Sequence, residues 1–217
     1  MNVEKFRSEV RRWGLMRTVF SHIMRRVSRY LGIHIYAVRG TEMKAEPEFP
    51  LIPSNISLRV VPAAEVPGVT KNPALTLGDE FVQAAINRGD LLIGAFDGPE
   101  LVSYIWRTFT AAPHTDKLCV AVNKPYCYAY NSFTLPDYRG QRIAPAVHIL
   151  SDVEMFKRGY SDRAGFVDIA NSASLAMGKH MGTTVIGYAG YLEWFGRLLL
   201  FRTAAVKSIG FKFFERD

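Results

Sequence analysis

Apolar side chains recur at steps of three and four along residues 5–31: Phe6, Val10, Trp13, Met16, Phe20, Ile23, Val27 and Leu31. That period places them on one face of a helix, with arginines over most of the remaining surface. Gly14 weakens such a helix by about 1 kcal/mol relative to alanine, so a break is allowed there. A short strand fits 33–38. Between 40 and 57 the composition changes to Glu46-Pro47-Glu48-Phe49-Pro50 and Ile52-Pro53-Ser54. Prolines at this density oppose both helix and central strand and predict a linker.

Beyond the linker the pattern predicts a strand at 57–61 and a helix at 73–88, with Leu77, Phe81, Ala84 and Ala85 on its inner face. Apolar runs at 91–96 and 101–110 flank Asp97-Gly98-Pro99-Glu100, a turn that joins them as a hairpin. A second strand pair is expected at 118–122 and 126–135, then a helix at 144–157 and a strand at 164–169. A helix at 172–180 and strands at 184–189 and 209–214 complete the order, with a further apolar segment at 192–203. The expected fold is a mixed α/β sheet with a basic amphipathic helical extension (1–39), a Pro-rich linker (40–55) and one main domain (56–217).

Charge sharpens this division. The chain carries +7, but residues 1–30 hold Lys5 and seven arginines against Glu4 and Glu9. The main domain is therefore close to neutral, which argues against a nucleic-acid partner. A basic amphipathic helix can lie on an anionic membrane surface. Packing of this continuous, aromatic stripe on the protein or on a second subunit is the favoured alternative, so residues 5–31 are candidates for a homodimer contact or a membrane surface. Arginines interrupt every apolar stretch before a signal-peptide core could form, and no run is long enough to span a bilayer. Cys119 and Cys127 suit a reducing cytosol; they could face each other across a hairpin, although two buried thiols is the simpler reading. No metal site is expected from the scattered histidines.

The chemistry concentrates in two segments. The first runs from Tyr130 through Pro136-Asp137-Tyr138-Arg139-Gly140-Gln141-Arg142-Ile143-Ala144-Pro145. A strand that passes through a Gly-containing turn into a helix start aims several backbone N–H groups at one spot, which suits a phosphate. The second is Phe166-Val167-Asp168-Ile169-Ala170-Asn171, followed by Ser174, Gly178, Lys179 and Gly182.

Together these segments resemble the GNAT (N-acetyltransferase) superfamily, which moves acyl groups from coenzyme A to amines. The resemblance covers roughly residues 57–215. It implies a mixed, mostly antiparallel central sheet flanked by helices. It also implies acetyl-CoA as co-substrate, a small-molecule amine acceptor and direct attack of the amine on the thioester. By resemblance, the N–H groups of Gln141, Arg142, Ile143 and Ala144, with Gly140 and the Arg139 side chain, hold the pyrophosphate. The strand backbone at Phe133, Thr134 and Leu135 pairs with the pantetheine arm, and Asn171 and Ser174 close the other side. Arg142 stands where the family commonly has glycine. Gly178 stands where it usually has the tyrosine that protonates the leaving thiolate. The alternative is thus a GNAT-fold protein that binds coenzyme A without efficient catalysis, a sensor or an interaction module recruited by its N-terminal helix.

Asp168 is the candidate general base, with a strand-end carboxylate bonded to backbone as its competing role. Tyr130 belongs to a polar strand face with Tyr128, Ser132 and Thr134 that could line the acceptor pocket or relay a proton. His148 reads as a core or cap histidine, and Glu193 as a surface residue. A bacterial-type cytoplasmic enzyme, peripheral to the inner membrane if the N-terminal helix binds lipid, is the resulting expectation.

Overall fold

The computed structural model describes residues 3–216. Its chain forms two compact units, one from residues 1–41 and 165–217, the other from 42–164. This departs from the extension–linker–domain plan, because the strand after the N-terminal helices belongs to the same unit as the C-terminal strands.

In the first unit, helices α1 (Val3–Trp13) and α2 (Leu15–Leu31) are separated at Gly14, whose φ of 84° no helix accommodates. Glu9 of α1 accepts from His22 of α2 at 2.8 Å, which folds the two helices together. Gly32 ends α2 in the left-handed conformation and leads into β1 (Ile33–Glu42), longer than the strand expected at 33–38. The apolar stripe does not supply the buried face of α2. Thr18 and Ser21 are its buried residues, and Ser21 meets Ser172 at 3.0 Å.

The second unit begins at Glu42, the last residue of β1, and takes in the irregular segment that follows. Strand β2 (Ile56–Val61) is followed by a single helical turn, α3 (Val66–Val69). The helix expected at 73–88 is shorter: Pro73–Leu75 makes a 3-10 turn that ends at left-handed Thr76, and α4 spans Asp79–Asn87. Strands β3 (Leu91–Asp97) and β4 (Glu100–Thr108) form the expected hairpin, with β2 antiparallel on the far side of β3. The short strands β5 (Ala111–Pro113) and β6 (Leu118–Ala121) pair with each other. The following strand, β7 (Tyr126–Thr134), pairs instead with β4. The expected 118–122/126–135 hairpin is therefore not formed, and Cys119 and Cys127 are free thiols on strands that do not pair together.

Helix α5 (Ile143–Lys157) packs on β2, β3, β4 and β7, and burying Ile143, Ala146, Val147 and Met155 against the sheet supplies its hold. Strand β8 (Asp162–Asp168) follows, parallel to β7 over Tyr126↔Asp162 to Tyr128↔Ala164. A buried ionic cluster secures this packing. Arg107 of β4 donates to Ser151 and Asp152 of α5, and Arg163 of β8 donates to the other Asp152 oxygen at 2.7 Å. Burial lowers the Arg163 pKa, with Asp152 opposing that shift. Burial raises the Cys127 thiol, which lies beside the cluster.

The remaining elements return to the first unit: α6 (Ser172–His180), β9 (Thr184–Trp194), β10 (Arg197–Arg202), α7 (Ala204–Ser208) and β11 (Lys212–Glu215). The apolar segment at 192–203 is thus the end of β9 and the edge strand β10, joined by a tight hairpin. Strand β1 pairs antiparallel with β9 from Ile33↔Leu192 to Gly40↔Thr184. Tyr36, Tyr191, Phe211 and Phe213 form an aromatic core here, with Phe166 at its edge. Across both units the strands pair mostly antiparallel, β7 with β8 being parallel.

His148 fits a core position: both ring nitrogens are buried without a partner among the described residues, and burial holds its pKa well below the usual 6.5. The folded state therefore resists protonation, while the unfolded chain takes up a proton as pH falls through about 6.5. This part of the stability is complete above that pH. It should decline by about 1.4 kcal/mol per pH unit below it, until the folded pKa is reached. Urea denaturation of the native chain and His148→Phe between pH 7 and 5 should show the steeper acid loss in the native chain. A second prediction concerns the ionic cluster. Asp152→Asn leaves two buried guanidiniums without a carboxylate and should cost about 3–5 kcal/mol in the same assay. Replacing Arg107, Asp152 and Arg163 together with Met, Leu and Met should cost less than the single change.

Candidate functional site

In the second unit the site is built around the end of β7. Pairing with β8 stops at Tyr128↔Ala164, so the rest of β7 keeps β4 as a neighbour and leaves its other edge open. Between Trp106↔Tyr130 and Tyr104↔Phe133 the register shifts, and Asn131 has φ of 45°. Two residues of β7, Asn131 and Ser132, thus oppose Ile105 alone. Such a bulge bends the strand and withdraws backbone groups from the ladder.

Backbone direction after the bulge is set by specific bonds. Leu135 N–H donates to Val102 at 2.9 Å, and the Phe133 carbonyl accepts from Ser103 Oγ at 3.1 Å. Phe133 and Leu135 therefore turn toward β4. Thr134 alternates to the open edge, where its carbonyl accepts from Arg139 Nε at 3.0 Å. Of these three strand residues, Thr134 alone presents its backbone to that edge.

Pro136–Tyr138 then forms one 3-10 turn, and the Tyr138 hydroxyl anchors it to Asp97 at 2.9 Å. Gly140 at φ 80° and Arg142 at φ 62° are both left-handed and curl the backbone around the start of α5. At 142 a glycine would adopt this conformation freely, whereas Arg142 holds it at a cost of about 1–2 kcal/mol. Among the described residues, the N–H groups of Gly140, Gln141, Arg142, Ile143 and Ala144 have no carbonyl partner, and Pro145 has no N–H to give. Five donors at the positive end of a 15-residue helix are a candidate anion seat. Two neighbouring side chains are occupied elsewhere. Arg139 bonds Thr134 and lies over the Phe133 ring, and Gln141 Nε2 donates to the Asp137 carbonyl at 2.9 Å. Arg142 is exposed beside the seat.

Tyr130, one residue before the bulge, is buried in a bonded triad. Its hydroxyl donates to Asp90 Oδ2 at 2.5 Å, and Arg88 donates to both groups. Burial, reinforced by Asp90, raises the phenol pKa, so the hydroxyl keeps its proton at neutral pH. Asp90 Oδ1 is buried without a partner. Arg88 and Asp90 had no motif to mark them; the only cue in the sequence is that a charged pair follows the apolar face of a helix. Tyr128 stacks on Tyr130, and its pKa is likewise raised by burial.

The other candidates lie in the first unit. Asp168 accepts from Ala170 N–H at 2.7 Å, the backbone-bonded role weighed for it from the sequence. Asn171 caps α6, accepting from Ser174 N–H at 3.1 Å. Around Gly178 the space is already filled. A Cβ there would lie 2.9 Å from Thr183 Oγ1 and 3.2 Å from the Arg39 guanidinium. Arg39 reaches from β1 to the C-terminal end of α6 and donates to Thr183 Oγ1, the Leu175 carbonyl and the Thr183 carbonyl. No spacing in the sequence connects Arg39 with Gly178.

The fold is that of the GNAT acetyltransferases. It matches a GCN5-related N-acetyltransferase from Sphaerobacter thermophilus with TM-score 0.54 and 14% identity, covering 77% of this chain and 54% of that one. A GCN5-related N-acetyltransferase from Kribbella flavida matches with TM-score 0.50 and 14% identity, over 83% of this chain and 63% of that one. A GNAT-family protein from Novosphingobium aromaticivorans matches with TM-score 0.50 and 14% identity, over 70% and 60%. The chain thus spans between 54 and 63% of the lengths of these proteins. No protein-family model matches the sequence, and no curated protein matches it.

Gly178 yields a direct test. Gly178→Tyr must displace Arg39 from the end of α6, so it should destabilise the chain by about 1–3 kcal/mol in thermal unfolding. Arg39→Met should cause a loss of similar size, and the two effects should not add, because both break the same bonds.

Proposed function

We propose that this chain is an acyl-CoA-dependent N-acyltransferase that passes an acetyl group from coenzyme A to a primary amine of a small molecule. The observation that carries this reading is the run of five N–H groups from Gly140 to Ala144 that have no carbonyl partner among the described residues, after the end of a bulged, open-edged strand. These groups supply donors for a pyrophosphate, and the Thr134 carbonyl, which already accepts from Arg139, keeps a second lone pair for an amide of an extended arm. The bulge releases backbone donors where a thioester oxygen develops charge, which favours the tetrahedral adduct.

In this mechanism the neutral amine attacks the thioester carbon, the C–N bond forms, and collapse of the adduct breaks the C–S bond. The amine proton leaves to a carboxylate or by relay, and the thiolate departs or takes a proton from solvent. Asp168 is the proposed base for its place at a strand end just before Asn171, with the oxygen that does not bond Ala170 as acceptor. Tyr130 is the proposed relay: its oxygen accepts a proton as its own passes to Asp90. The roles of Asn171 and Ser174 at the cofactor rest on the same resemblance.

A specific observation favours a second reading, coenzyme A binding without efficient turnover. Arg39 and Thr183 occupy the space at Gly178 where the family's tyrosine would stand.

Calorimetry with acetyl-CoA should show binding in the micromolar range, and its absence would end both readings. Arg142→Gly removes a charge at the seat and also relieves its left-handed backbone. Affinity for CoA should fall several-fold while stability stays within about 1 kcal/mol of the native chain. Thiol release over a panel of primary amines separates enzyme from binder. With an accepted amine, Asp168→Asn and Tyr130→Phe should each lower turnover about 100-fold or more while CoA affinity is kept. Unchanged turnover removes the residue from its role.

A further inference from the structure

The first unit carries a feature that acyl transfer does not use. The strand pair β9–β10 turns through Phe195 and Gly196, at φ 46° and 75°, between the paired residues Trp194 and Arg197. A two-residue turn of this shape favours Asn, Asp or Gly at its first position. Phe195 instead holds a left-handed backbone there while the residue is 90% exposed, its ring meeting the neighbouring Trp194 edge-on with 5.0 Å between centroids. Trp194 beside it is 58% exposed. The strain is kept for a contact between two rings that both stay exposed, and not for burial in the core, which points to a role outside the fold.

The hairpin does not stand alone. Gly32, which closes α2, accepts from Glu193 N–H at 2.9 Å, so the C-terminal end of α2 abuts the base of the turn. That helix end exposes Leu31, and further along α2 Met16, Phe20 and Ile23 are exposed too, Met16 at 87%. These are members of the apolar stripe that the helix does not bury. Arginines 17, 26 and 29 on α2 and Arg197 at the turn are exposed as well, Arg17 and Arg26 flanking the stripe.

Charge decides the partner. The first unit holds fifteen lysines and arginines against six acidic residues, and the second unit twelve against fourteen. A second copy docked on this face would bring two strongly cationic surfaces together. Continuing the sheet by antiparallel pairing of β10 with itself would set Arg197 against Arg202. Exposed Leu, Ile, Met and Phe side chains gain nothing from nucleic-acid phosphates but gain from hydrocarbon. Trp and Phe at a turn tip, ringed by arginines, suit the boundary of an anionic bilayer.

We propose that α2 and the β9–β10 turn form a docking surface for anionic lipid membranes, with Trp194 and Phe195 entering the interface and the arginines contacting headgroups. No described helix is long and apolar enough to cross a membrane, so the contact is peripheral. The full chain should float with vesicles of equimolar phosphatidylglycerol and phosphatidylcholine, not with phosphatidylcholine alone, and added salt should weaken the association. Trp194→Ala with Phe195→Asn should lower partitioning at least about tenfold. Arg26→Gln and Arg29→Gln should lower it about fivefold each. Because asparagine tolerates the left-handed turn, Phe195→Asn alone should keep the melting temperature, which separates lost binding from unfolding. The proposal is overturned if the chain fails to float with anionic vesicles, or floats equally with neutral ones. It is also overturned if sedimentation shows a dimer that the Trp194/Phe195 changes dissolve, or if duplex DNA binds more tightly than the vesicles and loses binding with the same changes.

Discussion

Asp152 is one carboxylate between two buried guanidiniums, and the placement of the candidate anion seat depends on it. Arg107 comes from β4 and Arg163 from β8, while Asp152 sits on α5. Two like charges cannot be buried side by side unless a counter-ion and full hydrogen bonding hold them. That requirement restricts how α5 can lie on the sheet. The same helix begins at Ile143, directly after the left-handed turn, so fixing its body also fixes where its free N–H groups point. The neutral, unpartnered His148 beside these arginines adds no further positive charge to the cluster.

The second constraint is local to β7. This strand meets β4 throughout most of its length but β8 only at its start, and its bulge at Asn131 lies between the two regimes. Backbone groups left out of a ladder must find other partners. At the end of β7, Arg139 covers the Thr134 carbonyl, and the helix-start donors beyond it have none. That unfinished hydrogen bonding is what the proposal of a cofactor rich in amides and phosphates rests on.

Much of this was legible in the residues. The turn from Pro136 to Pro145 was legible as a candidate anion seat because Gly140 and a proline at the helix start carry local conformational meaning. The Asn171 cap and the break at Gly14 were legible for the same reason. The β3–β4 hairpin followed from Asp97-Gly98-Pro99-Glu100. Roles set by distant partners were not legible. Tyr130 could be placed on a polar face, but its tie to Arg88 and Asp90 could not. The glycine at 178 was visible as a departure from the GNAT pattern, while the Arg39 side chain that fills its space was not.

Periodicity and turn chemistry are local, so the sequence by itself determined the α/β class, most element positions, the glycine-containing turn before α5 and the concentration of positive charge near the N-terminus. Strand partners and the exposure of the apolar stripe depend on which surfaces meet after the chain closes. Only the tertiary structure paired β6 with β5 instead of β7, and joined β1 to β9. It also packed α2 through Thr18 and Ser21. A helical period tells which side chains share a face, but burial of that face is decided by the neighbours it finds, and here small polar residues make the closer fit.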